Sequence, residues 1–218
     1  ADLSSLASIR AVAPQLLAAH PRIDVLINNA GAMNMERRAS VDGLELTFAT
    51  NHLGYFLLTE LLLPALKAAA PARIINVASE AHRGARLNFD DLQNERGYSG
   101  WKVYGQSKLA NILHARELAR RLAGSGVTAN ALHPGVVATE FGSRNGFVSI
   151  LIKLARPFLI TAEKGAATSI YLATAPEVAT VSGKYFAKCR ESQPRRPARD
   201  AEAARRLWEL SEQMTARR

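Results

Sequence analysis

At 218 residues, 48% of them hydrophobic, the chain can bury one substantial core, which excludes disordered, collagenous and disulfide-stapled architectures. Its single cysteine, Cys189, lacks an internal disulfide partner, so a cytoplasmic setting is the expectation. The formal charge of +9 raises nucleic acid or an acidic membrane surface as partners, but Glu191, Asp200, Glu202, Glu209 and Glu212 break up the arginine-rich C-terminal stretch, and Leu207, Trp208 and Leu210 add an apolar stripe. That pattern reads as a solvated terminal helix, and no nucleic-acid partner is expected.

Taken in chain order, Ser4 to Ala19 has apolar residues at helical spacing with Ser4 or Ser5 as N-cap, and Ile23 to Ile27 reads as a short buried strand. Val41 to Ala70 is apolar-periodic and predicts one main helix from about Gly43, ended by Pro71. Arg73 to Ala78 is a second β-branched run, Ser99 to Leu122 a third helical block ending at Gly124-Ser125-Gly126, and Val127 to Leu132 a third strand. Thr161 to Ala173 predicts another helix, Lys184 to Ala187 a short fourth strand and Ala198 to Ala216 a closing helix, with Asn94 to Gly100 and Gly142 to Pro157 irregular. Strands separated by helices imply a parallel sheet with right-handed crossovers: the class is α/β, doubly wound. No linker divides residues 1–218, so one domain is expected.

The most apolar stretch, Val148 to Ile160, contains Lys153, Arg156 and Pro157 and falls short of the roughly 20 residues that a membrane-spanning helix needs. No secretory leader is expected, because the chain opens on Ala1-Asp2-Leu3 without a basic start or a sustained apolar run.

Residues suited to chemistry gather at three strand ends and on one helix. Tyr104-Gly-Gln-Ser-Lys108 places a phenol and an ammonium four apart on one helix face. An ammonium near a phenol favours the phenolate, lowering its pKa from about 10 towards neutrality, so that the hydroxyl can exchange a proton with a substrate oxygen. Alone, this spacing is common on solvated helices. Asn28-Asn29-Ala30-Gly31 follows the first strand, where small and amide residues let a nucleotide approach the backbone; an ordinary turn is the plain alternative. Ser79 ends the second strand, and its hydroxyl can donate to a carbonyl oxygen gaining charge or cap a helix. His133-Pro134-Gly135 to Thr139 ends the third strand in a similar loop. The five histidines show no ligand spacing, so no metal is expected, and Gly105-Gln-Ser107-Lys108 lacks the final glycine of a serine-hydrolase elbow.

The ordered set Asn28 to Gly31, Asn51, Ser79, Tyr104-x-x-x-Lys108 and Pro134-Gly135 to Thr139 resembles the short-chain dehydrogenases/reductases, from Asp2 to the C-terminal region. Thr50-Asn-His-Leu-Gly54, Asp91-Leu-Gln, Ser107-Lys-Leu-Ala-Asn111 and His133-Pro-Gly-Val-Val137 are similar to the retinol dehydrogenase and WW-domain oxidoreductase branch. The resemblance implies a Rossmann-like fold and hydride transfer between NAD(P), with NADP favoured, and an apolar carbonyl or alcohol substrate. It implies Tyr104 as general acid in reduction and base in oxidation, and Lys108 as the group that lowers its pKa and holds the nicotinamide ribose. Ser79 would position the substrate oxygen, and Asn51 would hold a water linking Lys108 to solvent. The resemblance further assigns Asn28, Asn29, Ala30 and Gly31 to the adenosine side of the cofactor, Tyr104 and Lys108 to the ribose, Pro134, Gly135, Val136 and Thr139 to the nicotinamide end, and Asp2, with Leu3, to the adenine ring.

In that family, two βα units and a glycine-rich pyrophosphate turn precede the position of Asp2. None of the 14 glycines here forms such a turn. The expectation is therefore an N-terminally truncated domain, with the first strand an exposed edge that invites self-association and with poor binding of nicotinamide dinucleotides. Micromolar NADPH affinity by calorimetry would contradict it. The rival from another class is a degenerate, non-catalytic dehydrogenase-fold interaction protein that cannot bind cofactor; intact Asn51, Ser79, Tyr104 and Lys108 argue against it. For Val148 to Ile160, a packed helix, a lid over an apolar substrate and a membrane-resting surface all stay open.

Overall fold

The structure, a computed structural model, describes residues 1–135 and 161–216. Ser5 Oγ accepts the Ser8 amide at 3.2 Å and starts helix α1 (Leu6–Ala19), which leads into strand β1 (Val25–Asn28). The single helix expected from Gly43 is interrupted. The buried Glu45 carboxylate accepts the Thr47 and Phe48 amides at 2.9 and 2.6 Å and caps α2 (Leu46–Phe48). A π-helical turn, Ala49–Leu53, then precedes α3 (Gly54–Ala69). Such a turn inserts a residue into the helical ladder and is a frequent companion of functional sites; here it carries Asn51.

Strand β2 (Ala72–Val77) follows, then a 3-10 turn (Glu80–Gly84), α4 (Gly100–Arg121), β3 (Val127–His133), α5 (Ala162–Thr174), β4 (Tyr185–Ala187), β5 (Arg190–Glu191) and α6 (Ala201–Thr215). The sheet order is β1-β2-β3-β4-β5, with β1 to β4 parallel and β5 antiparallel to β4. The two-residue β5 was not foreseen, being too short to carry a periodic signal.

Alternate residues of the central strands face opposite layers. Ile74 and Ala129 pack with α3, α4 and α6, whereas Ile75, Val77 and Leu132 pack with Leu172 of α5. Helices therefore cover both faces, as a doubly wound sheet requires. Strand β1 has β2 as its one strand partner among the described residues, and Ile27 on it is 41% exposed. Helix α6 lies across α3 and α4, with the Trp208 ring 4.8 Å from Phe56 and 4.2 Å from the Arg121 guanidinium. Among the described residues, no helix is long and apolar enough to cross a membrane.

The closing helix begins later than its expected Ala198, because Arg196–Arg199 form a 3-10 turn and Asp200 Oδ1 then accepts the Ala203 amide at 3.0 Å. Asp200→Ala is expected to lower stability by about 1 kcal/mol in urea denaturation, with Asp200→Ser restoring most of it. A shift as large in both variants would mean that the cap contributes nothing.

Candidate active site

The parallel order brings the ends of β1, β2 and β3 to one edge of the sheet, beside the first half of α4. What lets α4 come close is Gly105. A Cβ there would lie 2.8 Å from the Ala81 carbonyl oxygen and 3.3 Å from Ala85 Cβ, both on the segment that Ser79 opens. The missing side chain brings the Tyr104 turn of α4 close to the Ser79 segment, and the Ser79 hydroxyl favours the phenolate. Gly105→Ala forces the two segments apart; turnover is expected to fall at least tenfold, with about 1–3 kcal/mol lost from stability. Steady-state kinetics and urea denaturation on the same preparation would check both.

Ser79 is itself held in place. Its hydroxyl accepts the Ala81 amide at 3.2 Å, so it caps the turn as well as touching Tyr104. Its carbonyl accepts the His82 Nδ1–H at 2.6 Å. The His82 ring packs against Tyr185 with centroids 5.1 Å apart, and the Tyr185 hydroxyl donates to Glu80 Oε1 at 3.1 Å. Burial lowers the His82 pKa and keeps the ring neutral, so it serves as a fixed donor.

The expected lowering of the Tyr104 pKa is not what the structure shows. Burial raises it, and the Ser79 bond offsets that only in part. Lys108, 3% exposed, has its Nζ 5.6 Å from the centre of the Tyr104 ring and donates to the Val77 carbonyl at 3.0 Å. Burial brings Lys108 down to about 8, so the ammonium form still predominates at neutral pH.

Gly31 faces Lys108 and Asn51: a Cβ would meet Lys108 Nζ and Asn51 Oδ1, each at 3.3 Å. Asn51 Nδ2 donates to the Ala32 carbonyl at 2.9 Å and to Ser107 Oγ at 3.0 Å, while Oδ1 accepts the Ala32 amide at 2.8 Å. Asn51 thus ties the loop after β1 to α4. The role expected for it, holding a water, rests on the lone pair that Oδ1 retains, since Nδ2 is fully committed.

The β1 loop divides in two. Asn28 is buried and turned into the sheet, donating to Thr59 Oγ1 at 3.0 Å and Asn76 Oδ1 at 2.9 Å. Its side chain is structural in this arrangement and does not reach the loop surface. Asn29, Ala30 and Gly31 are exposed, and the Tyr55 hydroxyl fixes the Ala30 carbonyl at 2.6 Å. Exposed small residues leave the loop backbone open to close approach by a nucleotide, beside the buried Lys108 ammonium. No glycine-rich strand-to-helix turn for the pyrophosphate occurs among the described residues.

Pro134 and Gly135 follow β3 at the same edge, half-buried. Val136, Thr139 and the stretch from Val148 to Ile160 lie outside the described residues. Asp2 is exposed and accepts the Ser4 amide at 2.8 Å and the Ser4 hydroxyl at 2.7 Å, bonds that lower its pKa and shape the turn before α1. Among the described residues, no group of three His, Cys, Asp or Glu side chains could hold a metal ion. Two contributors escaped sequence reasoning. Tyr55 could have been found from its place four residues after Asn51, and Gly105 from being a glycine inside a helix next to the key tyrosine.

A family model described as short chain dehydrogenase matches residues 1–146. Human retinol dehydrogenase 14 is 49% identical over 218 residues, covering 98% of this chain and 65% of that protein. Human retinol dehydrogenase 13 is 49% identical over 214 residues, covering 95% of this chain and 65% of that protein. The chain thus spans 65% of the length of these two relatives. Among solved structures, an uncharacterised protein from Mycobacterium paratuberculosis superposes with a TM-score of 0.77 at 38% identity, over 99% of this chain and 74% of that one. The NADP complex of Pseudomonas aeruginosa RhlG gives 0.67 at 29% identity, over 85% and 72%.

Proposed function

The chain belongs to the short-chain dehydrogenase family, and on that premise we propose that it serves hydride transfer between NAD(P) and an alcohol or carbonyl compound, with Tyr104 as the proton-transfer group. The observation that carries this reading is the buried Lys108 ammonium, 5.6 Å from the centre of the Tyr104 ring and facing Gly31, with Ser79 favouring the phenolate. The nicotinamide, when bound, supplies or accepts the hydride. Asn29 to Gly31 would hold the dinucleotide on its adenosine side, Lys108 at the ribose and the Pro134-Gly135 loop at the nicotinamide end.

A phenol raised by burial stays protonated at neutral pH, the form that donates to a substrate carbonyl oxygen in reduction. The single Ser79 O–H orients that oxygen before transfer and turns to the phenolate left afterwards. Lys108 adds a positive charge within reach of the same phenolate, and Asn51 keeps the β1 loop closed against it. The names of the retinol dehydrogenase relatives support a long apolar alcohol or aldehyde as substrate, and the RhlG complex supports NADP over NAD.

The test is oxidation of NADPH, supplied in excess to offset the weak binding expected without a pyrophosphate turn, by the purified protein with a long-chain aldehyde; one alcohol is expected per NADPH consumed. Absence of both calorimetric NADPH binding and aldehyde-dependent oxidation would favour the non-catalytic interaction module instead.

A further inference from the structure

Eight residues beyond Lys108, α4 meets a second polar space that the proposed chemistry does not use. Ile112 and Arg116 of α4, Tyr185 of β4, and Gln193 and Arg199 from the segment after β5 line a cavity of about 80 Å³. That volume exceeds what one water needs and suits a few waters or one tetrahedral oxyanion.

The charges around this space do not cancel. Lys184 and Glu191 also line it, but they pair with each other at 2.9 Å. Arg116 and Arg199 form no ion pair among the described residues. The Arg199 guanidinium has a single weak contact, to Gln193 Oε1 at 3.5 Å. The Nε of Arg116 is buried without a hydrogen-bond acceptor. A buried donor left unpaired costs about 1–3 kcal/mol, and more when it is charged, so an exception of this kind asks for a missing acceptor.

Two guanidinium groups on one small cavity supply flat, forked donors whose geometry matches the oxygens of a phosphate or carboxylate. Ile112 and the Tyr185 ring form an apolar wall that lowers the local dielectric and strengthens the attraction. We propose that this cavity, bounded by α4, β4 and the segment after β5, binds a single phosphate-type or carboxylate-type oxyanion between Arg116 and Arg199. The site takes in two of the arginines behind the chain's positive charge. It is independent of the dehydrogenase reading.

The test is calorimetric titration of the whole chain with inorganic phosphate at constant ionic strength, alongside thermal denaturation. One site is expected, with a melting temperature that rises with phosphate and does not respond to equivalent chloride. Arg199→Gln, at an exposed position that spares the fold, should weaken phosphate binding at least tenfold, and Arg116→Lys should do the same. Arg190→Gln, outside the cavity, should bind as the parent does. Equal binding by the parent, Arg199→Gln and Arg116→Lys, or an equal response to chloride, would overturn the proposal. Vesicles of phosphatidylcholine with phosphatidic acid separate the two sources: cosedimentation lost in Arg199→Gln identifies a lipid headgroup, and phosphate binding without vesicle binding identifies a free anion. Phosphate binding is read without turnover, so its failure would leave the dehydrogenase reading untouched.

Discussion

Tyr104→Phe is expected to reduce turnover by about 10³-fold while NADPH affinity changes no more than a few-fold, a loss of about 4 kcal/mol in transition-state stabilisation. Phenylalanine keeps the half-buried ring and removes only the hydroxyl whose ionisation Ser79 favours. Since Ser79 acts on the same oxygen, Ser79→Ala should be damaging alone and add little to Tyr104→Phe, because the two operate as a unit. Steady-state kinetics with calorimetry on the three variants would decide this. Activity within tenfold of the parent in Tyr104→Phe would remove Tyr104 as the proton donor.

The protein should also be unusually acid-labile, and the cause lies under α6. His52 and His114 are buried, with ring centres 5.7 Å apart. Ser211 Oγ, whose hydrogen goes to the Leu207 carbonyl, accepts from His52 Nε2 at 2.9 Å. Asn76 Nδ2 donates to His114 Nδ1 at 3.2 Å, so a second proton on His114 would meet a donor. Burial pushes His52 down to about 3 and His114 well below its ordinary value, although hydrogen bonding with Asn111 partly favours charged His52.

The sign follows from the unfolded chain, where histidine titrates near 6.5. Below that pH the unfolded state binds protons that the folded state refuses, so stability is complete above about 6.5 and falls as pH drops towards the folded values. Between pH 7 and 5 each of the two histidines should withdraw about 2 kcal/mol, and a typical domain has only about 5–15 kcal/mol in all. Urea denaturation at pH 7, 6 and 5 should show the decline, and His114→Leu should reduce its slope by about one proton. An unchanged slope in that variant would refute the assignment.

Much of the fold was legible because it rests on local pattern. Apolar periodicity located α1, α4 and α5, and β-branched runs located β1, β2 and β3, since burying one face requires that repetition. Features resting on a few residues were not legible. The π-turn at Asn51, the 3-10 turn after Ser79 and the two-residue β5 have no period to read.

By itself the sequence determined the α/β class, the order of the elements and the candidate residues, because side-chain type and spacing suffice to place Ser79 at a strand end and Tyr104 and Lys108 on one helical face. Only the tertiary structure decided what each group touches. Asn28 turns into the sheet, Asn51 binds the Ala32 backbone, and Tyr104 is raised rather than lowered. Those outcomes depend on desolvation and on contacts between residues distant in the chain, which a spacing of four along a helix does not contain.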